Sequence, residues 1–387
     1  MSETLRVGVN ARTFAVEEPG GAVQAAIQLV RAIEHRDDTE VVLFGHPRVQ
    51  HRFPELPLDT TGYIVNSQLY GAAWERTVLP RRASLANVDV LLAPNGNGPA
   101  HETPYPTVVW VHDVNAIQGH SAPAHRLYRR ATLPRAVKAA DAVTTISTFS
   151  KDEITTHLPV GPDDVHVVQN GLASPYLDAA GRDTTDASTQ PRRAADGGRP
   201  PLDALDIDLP SEYVLFVGSL NPRKNVTRLL EAFASLRRDT DLPHELVLAG
   251  PAPKRIFQQL EVDLDEDATT AVTTLGFVPD RLLRSLYADA DAFAFPSLYE
   301  GFGLPPLEAM AMGTPVVTSN QSSMPEVCGD AARFVDPHAV ESIRAGIEDV
   351  LTDDALSAEL VARGRDRAQG FTWDRAAEQF ATVAADL

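Results

Sequence analysis

The chain predicts an α/β fold of two doubly wound domains, each a parallel sheet flanked by helices. Three observations carry that expectation. Residues 5–10, LRVGVN, form an apolar strand that leads through Gly20-Gly21 into a helix, the order that opens a doubly wound sheet. The same order restarts at residues 213–217, YVLFV, with a loop and an amphipathic helix behind it. Residues 292–318 then read strand, loop, helix, strand, which puts the loop at the carboxyl end of a strand, where open α/β sheets hold their ligands. A length of 387 residues fits two or three domains.

In the first half, a helix follows from Val23 to about Glu34, then strands over residues 40–45, 88–93 and 107–111. The third strand ends in Pro94-Asn95-Gly96-Asn97-Gly98, and the fourth delivers His112-Asp113 at its carboxyl end. Residues 120–140 carry Arg126, Arg129, Arg130, Arg135 and Lys138 without an acid. They read either as a solvated helical face or as a docking surface for an anionic acceptor or an anionic membrane surface. A strand over 142–146 runs into serines that cap a helix from about Lys151, and a strand over 165–168 closes this half. Residues 178–206 are rich in Asp, Thr, Arg, Pro and Gly, and have almost no large apolar side chain. They read as a linker or insertion that cannot build a core.

In the second half, the strand at 213–217 leads into Gly218-Ser219-Leu220-Asn221-Pro222-Arg223-Lys224-Asn225. The helix behind it aligns Val226, Leu229, Leu230, Phe233 and Leu236 on one face. Arg223 and Lys224 thus sit in a strand-to-helix loop just ahead of a helix N-terminus, two cations and a positive dipole end at one point, which suits a diphosphate. Strands follow over 245–250 and 273–277, a helix over 281–288, and the strand 292–295. Asp289-Ala290-Asp291 is formally D-x-D, but it precedes its strand, so it reads as a helix-to-strand turn rather than a metal site. Helices over 340–351 and 355–364 come next. A last amphipathic helix has Phe371, Trp373, Ala376, Phe380 and Val383 as its packing side.

The loop after residue 295 holds the densest chemistry. Glu300 and Glu308 stand eight positions apart around Gly301-Phe302-Gly303-Leu304, with Pro305 and Pro306 suited to the first turn of a helix that stops at Gly313. Two glycines let backbone amides approach a ligand, and the helix N-terminus favours a phosphate. Two carboxylates conflict with a bare anion but accept hydrogen bonds from sugar hydroxyls. A sugar attached to a phosphate satisfies both halves of the loop.

EGFGLPPLE resembles the E-x7-E signature of retaining glycosyltransferase family 4, which has the GT-B fold. VGSLNPRKN resembles that family's diphosphate loop, PTVVWVHDVNAI its strand ending in His-Asp, and SNQSSMPE the segment that closes over the donor. The resemblance spans nearly the whole chain except residues 178–206. It implies two Rossmann-like domains facing each other across a cleft: residues 1–172 on the acceptor side, 173–211 a linker with an insertion, 212–370 the nucleotide-sugar domain, and 371–387 a helix crossing back to the first domain. It further implies a retaining transferase moving a hexose, with mannose the first guess, from a nucleotide-diphosphate sugar to a glycan or lipid-linked acceptor. Glu300 and His112 would sit at the reacting sugar. Arg223, Lys224, Glu308, Gly301, Phe302, Gly303, Leu304, Ser219 and Gly21 would bind the donor, with Glu308 on the ribose hydroxyls. Gly20, Arg126, Arg129 and Arg130 would lie on the acceptor side. The family often has an arginine where this chain has Gln24, so a side-chain contact from the Gly20-Gly21 turn is not carried over. No obligatory metal or other cofactor is expected. The rival expectations are a GT-B relative that hydrolyses or epimerises a nucleotide-sugar, and a nucleotide-sugar-binding regulator.

Composition narrows the classes. The net charge of −19 argues against nucleic-acid binding, and its placement is uneven, −3 over residues 1–172 and −16 over 173–387. Four lysines against thirty arginines, on an acidic chain, suit a high-salt cytoplasm. The single Cys328 excludes an internal disulfide, and no apolar run approaches the ~18 residues of a membrane span. The expectation is a cytoplasmic protein with a peripheral contact at the inner face of the membrane.

Overall fold

The computed structural model describes residues 4–17, 19–62, 67–115, 123–181, 209–251 and 269–387. The chain forms two compact units, residues 1–171 with 372–387, and residues 172–371. Most of the segment read as a linker or insertion, residues 182–208, lies outside the described residues.

The first unit is a parallel sheet of seven strands: β1 (Leu5–Asn10), β2 (Thr39–Phe44), β3 (Leu58–Asp59), β4 (Val90–Ala93), β5 (Thr107–Trp110), β6 (Ala142–Thr145) and β7 (Val165–Val167), in the order β3-β2-β1-β4-β5-β6-β7. The strand order reverses between β1 and β4, so loops leaving their carboxyl ends diverge and open a crevice there. β4 is a fully buried Val-Leu-Leu-Ala run and β1 is buried from Val7 to Asn10, as a sheet covered on two faces requires. Helices α1 (Gly21–Glu34), α2 (Gln68–Thr77), α3 (Leu79–Leu85), α4 (Pro123–Ala139) and α5 (Thr148–His157) connect them. α1 starts two residues earlier than its apolar pattern suggests, with Gly20 as its extended N-cap. α5 is capped by the Ser147 hydroxyl, which accepts from the Ser150 amide at 3.0 Å.

The second unit begins with α6 (Ser174–Ala180), a short helix inside the stretch read as linker. Its sheet of six parallel strands is β8 (Tyr213–Val217), β9 (Glu245–Ala249), β10 (Val272–Gly276), β11 (Ala292–Phe295), β12 (Val316–Ser319) and β13 (Ala332–Val335), in the order β10-β9-β8-β11-β12-β13. The helices are α7 (Val226–Asp239), α8 (Asp280–Asp289), α9 (Leu304–Met312), α10 (Met324–Cys328), α11 (Val340–Thr352) and α12 (Asp354–Gln369). Here the order reverses between β8 and β11, and the loops leaving those two strands carry the Arg-Lys pair and the Glu-x7-Glu segment. α13 (Trp373–Ala385) belongs to the first unit, where it packs on α1 and buries Ala376, Ala377, Phe380, Val383 and Ala384. Phe371 is not on that helix. It lies in the second unit, its ring edge-on to Phe302 at 5.7 Å, because the helix begins only after its Thr372 cap.

Candidate active site

At the carboxyl ends of β8 and β11 the sequence-predicted cations and carboxylate meet. Arg223 and Lys224 lie in a single 3-10 turn that Asn225 ends in the left-handed conformation, φ +60°. Asparagine tolerates that region, and its side chain is used elsewhere: its amide donates to the Pro296 and Pro337 carbonyls at 2.9 and 2.7 Å. This locks the cation turn to the loop after β11. Lys224 Nζ is then 2.7 Å from Glu300 Oε1, and Arg223 Nη1 is 3.1 Å from Oε2. The Ser297 hydroxyl stands 2.6 Å from Oε1, and the Lys224 ammonium also lies 4.6 Å over the Phe295 ring. Burial pulls the Lys224 ammonium below its ordinary value and Glu300 opposes that pull. Two cations and one carboxylate leave a net positive charge facing the loop.

The backbone of that loop is held from below. The Ser323 hydroxyl is 2.9 Å from the Glu300 carbonyl and 2.6 Å from the Phe302 carbonyl, while the Ser322 hydroxyl accepts from the Glu300 amide at 3.2 Å. Gly303 has φ +118°, a conformation that favours glycine where the chain turns into α9. The next two helical positions after Leu304 are Pro305 and Pro306, which have no N–H. The first turn of α9 therefore lacks two of the N–H groups that a helix N-terminus otherwise presents. Ser219 is exposed in the loop after β8, its hydroxyl accepting from the Asn221 amide at 2.9 Å.

Glu308 does not join the Glu300 cluster. It is half-buried in the second turn of α9, where Oε2 accepts from the Tyr287 hydroxyl at 2.9 Å. Burial raises its carboxyl to about 7; the Tyr287 hydrogen bond opposes this and Asp280 adds to it. The two acids of the motif thus occupy two different environments, one ion-paired and one near neutrality.

In the first unit, His112 stands at the end of β5, buried, its ring 4.3 Å from that of Trp110. Burial, and then the Arg129 charge, push it down to about 3, so it is a neutral imidazole, and its Nε2 is buried without a hydrogen-bond partner. Arg129 is not on a solvated or docking face of α4. Its Nη1 turns inward to the Asn95 carbonyl at 2.7 Å and lies 3.3 Å from the Gly96 carbonyl. Sequence reasoning missed the network beside it: Arg12 Nε donates to Glu75 Oε1 at 2.8 Å, Arg12 Nη2 to the Tyr128 hydroxyl at 3.0 Å, and the Asn10 amide to Glu75 at 2.9 Å. Arg126 is half-buried and Arg130 exposed on the same helix; Gly20 and Gly21 are exposed at the start of α1.

Asp291 sits at the amino end of β11, where its carboxylate accepts from the Tyr213 amide at 2.9 Å and lies 3.7 Å from His244 Nε2. It splices two strands at the end of the sheet opposite the loops above. No group of three or more His, Cys, Asp or Glu side chains with metal-binding geometry occurs among the described residues.

Comparison with known proteins places this geometry. The family model described as Glycosyltransferase Family 4 matches residues 19–173, and the one described as Glycosyl transferases group 1 matches residues 203–367. The O-antigen chain mannosyltransferase B of Escherichia coli is 34% identical over 258 residues, covering 65% of this chain and 62% of that protein. The MMP alpha-(1->4)-mannosyltransferase of Mycolicibacterium hassiacum is 31% identical over 258 residues, covering 64% of this chain and 55% of its own length. The chain thus spans less than two thirds of these relatives. Among solved structures, sucrose-phosphate synthase from Thermosynechococcus elongatus superposes with a TM-score of 0.69 at 16% identity, over 99% of this chain and 98% of that one. The Anabaena HepE protein in complex with UDP-glucose gives 0.68 at 18% identity, over 99% and 100%. Each half of the chain thus matches a glycosyltransferase family model, and the chain has the GT-B fold.

Proposed function

We propose that the protein is a retaining glycosyltransferase that moves a hexose from a nucleotide-diphosphate sugar to a glycan or lipid-linked acceptor. The observation that carries this is the meeting of Arg223, Lys224 and Glu300 within 3.1 Å at the strand-order reversal of the second unit. Breaking an anomeric C–O bond builds positive charge on the sugar and negative charge on the leaving diphosphate. Arg223, Lys224 and the amides of residues 301–304 stabilise the leaving charge, and Glu300 accepts from sugar hydroxyls beside it. Glu308 accepts from the ribose hydroxyls. In the first unit, His112 is held neutral and its buried Nε2 has no hydrogen-bond partner, which suits a substrate hydroxyl. With two protein cations at the diphosphate, transfer proceeds in the presence of chelator; loss of activity in EDTA that added metal restores would overturn that part.

Mannose is the sugar we assign, on the support of relatives whose names specify mannosyl transfer. The acceptor is assigned to the first unit, where Leu127 and Arg130 of α4 are exposed. A peripheral contact with an anionic membrane surface belongs to the same assignment.

The test is a thermal-shift and transfer assay with GDP-mannose and UDP-glucose on the wild type, on Arg223→Gln, and on the paired change Lys224→Met with Glu300→Gln. The pair is changed together because removing Lys224 alone leaves a buried carboxylate uncompensated, at a cost of about 3–5 kcal/mol. GDP-mannose is expected to stabilise the wild type. Donor affinity should fall at least tenfold in Arg223→Gln and transfer should vanish in the paired variant, with unfolding still cooperative. Wild-type donor affinity in both variants would refute the assignment.

A further inference from the structure

We propose that Tyr287 is the positioning residue of the nucleotide subsite: its buried hydroxyl holds one oxygen of Glu308 so that the other accepts the ribose hydroxyls of the donor. This rests on the reading of Glu308 given above.

Tyr287 is on α8, which the sequence reading gave only as a helix, and it is fully buried. Its hydroxyl donates to Glu308 Oε2 at 2.9 Å, and Oε1 takes no part in that bond. The ring cannot drift. Its edge meets Phe293 at 5.4 Å and Tyr176 at 6.4 Å, and its own backbone carbonyl accepts from the Thr314 hydroxyl, just past the end of α9. Tyr176 is fixed in turn by donating to Asp280 Oδ1 at 3.1 Å, at the start of α8. α6 and α8 both pack on α9, and Tyr287 is held between Tyr176 and Phe293 with its hydroxyl on the Glu308 carboxylate.

The arrangement leaves a defined job for the second oxygen. An ionised carboxylate accepts only, and each of its oxygens has two lone-pair sites. With Oε2 engaged from the buried side, Oε1 has two sites for the vicinal hydroxyls of a ribose. Burial raises the Tyr287 phenol well above its ordinary value, so it stays a donor throughout the pH range of interest.

The titratable groups acting on Glu308 are Tyr287 and Asp280 on α8 and Tyr176 on α6, and Arg284 on α8 acts on Tyr176. Glu326 and Cys328 on α10, and Arg365 on α12 beside Gly313, belong to the other elements packed on α9. Asp280 and burial favour the protonated carboxyl, whereas the Tyr287 hydroxyl favours the ionised one.

The experiment compares the affinity of GDP and of 2′,3′-dideoxy-GDP, and of the corresponding UDP pair, for the wild type, Tyr287→Phe, Tyr176→Phe and Glu308→Gln, from pH 5.5 to 8.5. The wild type is expected to prefer the ribose form at least tenfold, with affinity rising as pH passes through about 7. In Tyr287→Phe the ribose preference should fall about tenfold, the dideoxy affinity should stay, and the pH midpoint should move up, since the lost hydrogen bond favoured ionisation. Tyr176→Phe should keep the preference, and adding Glu308→Gln to Tyr287→Phe should bring no further loss.

An unchanged preference and midpoint in Tyr287→Phe would overturn the role given to Tyr287. A wild type indifferent to the ribose hydroxyls would instead overturn the reading of Glu308, and this proposal with it. Should the phenylalanine variant not fold, 3-fluorotyrosine in place of the tyrosines keeps the ring contacts and is a stronger donor. It should move the midpoint down, and an unmoved midpoint overturns the proposal.

Discussion

His112 and Glu308 are pushed by burial in opposite directions along the pH scale, and each leaves a measurable trace. In the unfolded chain the imidazole titrates near its ordinary 6.5; folded, it is held down at about 3, by burial first and by the Arg129 charge second. Between those values the unfolded state binds a proton that the folded state refuses. Stability is therefore intact above pH 6.5 and falls as the pH drops below it, by up to about 1.4 kcal/mol per pH unit. The expected outcome is that His112→Gln loses about 2 kcal/mol less of its unfolding free energy between pH 7 and pH 5 than the wild type, in denaturant titrations. Parallel losses would mean that the ring is solvated and charged in the native protein. Such a residue is only half legible in a sequence. The strand-end position of His112, and of Arg223, Lys224 and Glu300, follows from short-range pattern. Long-range partnerships do not: Tyr287 stands 21 positions from Glu308, and Arg12 stands 63 from Glu75 and 116 from Tyr128. Arg129 shows the cost of this. Composition made it one of five cations on a helix, and only the folded loop after β4 supplies the carbonyls that turn it inward.

At the scale of elements, strands and amphipathic helices were readable because period and burial agree along each run; short helices such as α6 were not, since seven residues carry too little periodicity. The loops that build the site depend on backbone approach, which glycine reveals. Gly250, just past β9, has φ +140°, and a Cβ there would stand 2.1 Å from the Gly218 carbonyl oxygen. Gly218 begins the loop that carries Arg223 and Lys224, so the ends of β8 and β9 come together only because Gly250 lacks a side chain. Gly276, the last residue of β10, also has a positive φ of +66°, but open space surrounds the missing Cβ. Gly276→Ala should cost about 1 kcal/mol, the conformational term alone. Gly250→Ala should cost about 2–3 kcal/mol in urea unfolding and also weaken donor binding, because the loop carrying Arg223 and Lys224 must shift. Equal costs at the two glycines would show that the close approach is not a constraint.

At the scale of the whole molecule, one unit is discontinuous in sequence. The first unit is completed by α13, which arrives only after the second unit has been traversed. The join is tight: Gly171 meets the backbone of Thr372 and Trp373, with a Cβ there placed 2.3 Å from the Trp373 amide nitrogen, and the Gln169 amide donates to Gln379 at 3.0 Å. α13 buries Phe380 and Val383 with three alanines, and it packs on α1. Removing that much apolar surface from water stabilises the unit by about 5 kcal/mol, a large part of the 5–15 kcal/mol typical of a domain. A chain ending at Phe371 keeps every residue of the second unit and loses this helix. In hydrogen exchange, the amides of α1 should lose most of their protection, while those of β8, β11 and α9 should keep theirs. Donor binding, which draws on the second unit, should survive with little change, whereas transfer should fall with His112 and the first unit. Full protection across residues 21–34 in the shortened chain would show that α1 is held by its own sheet and that the returning helix adds nothing to it.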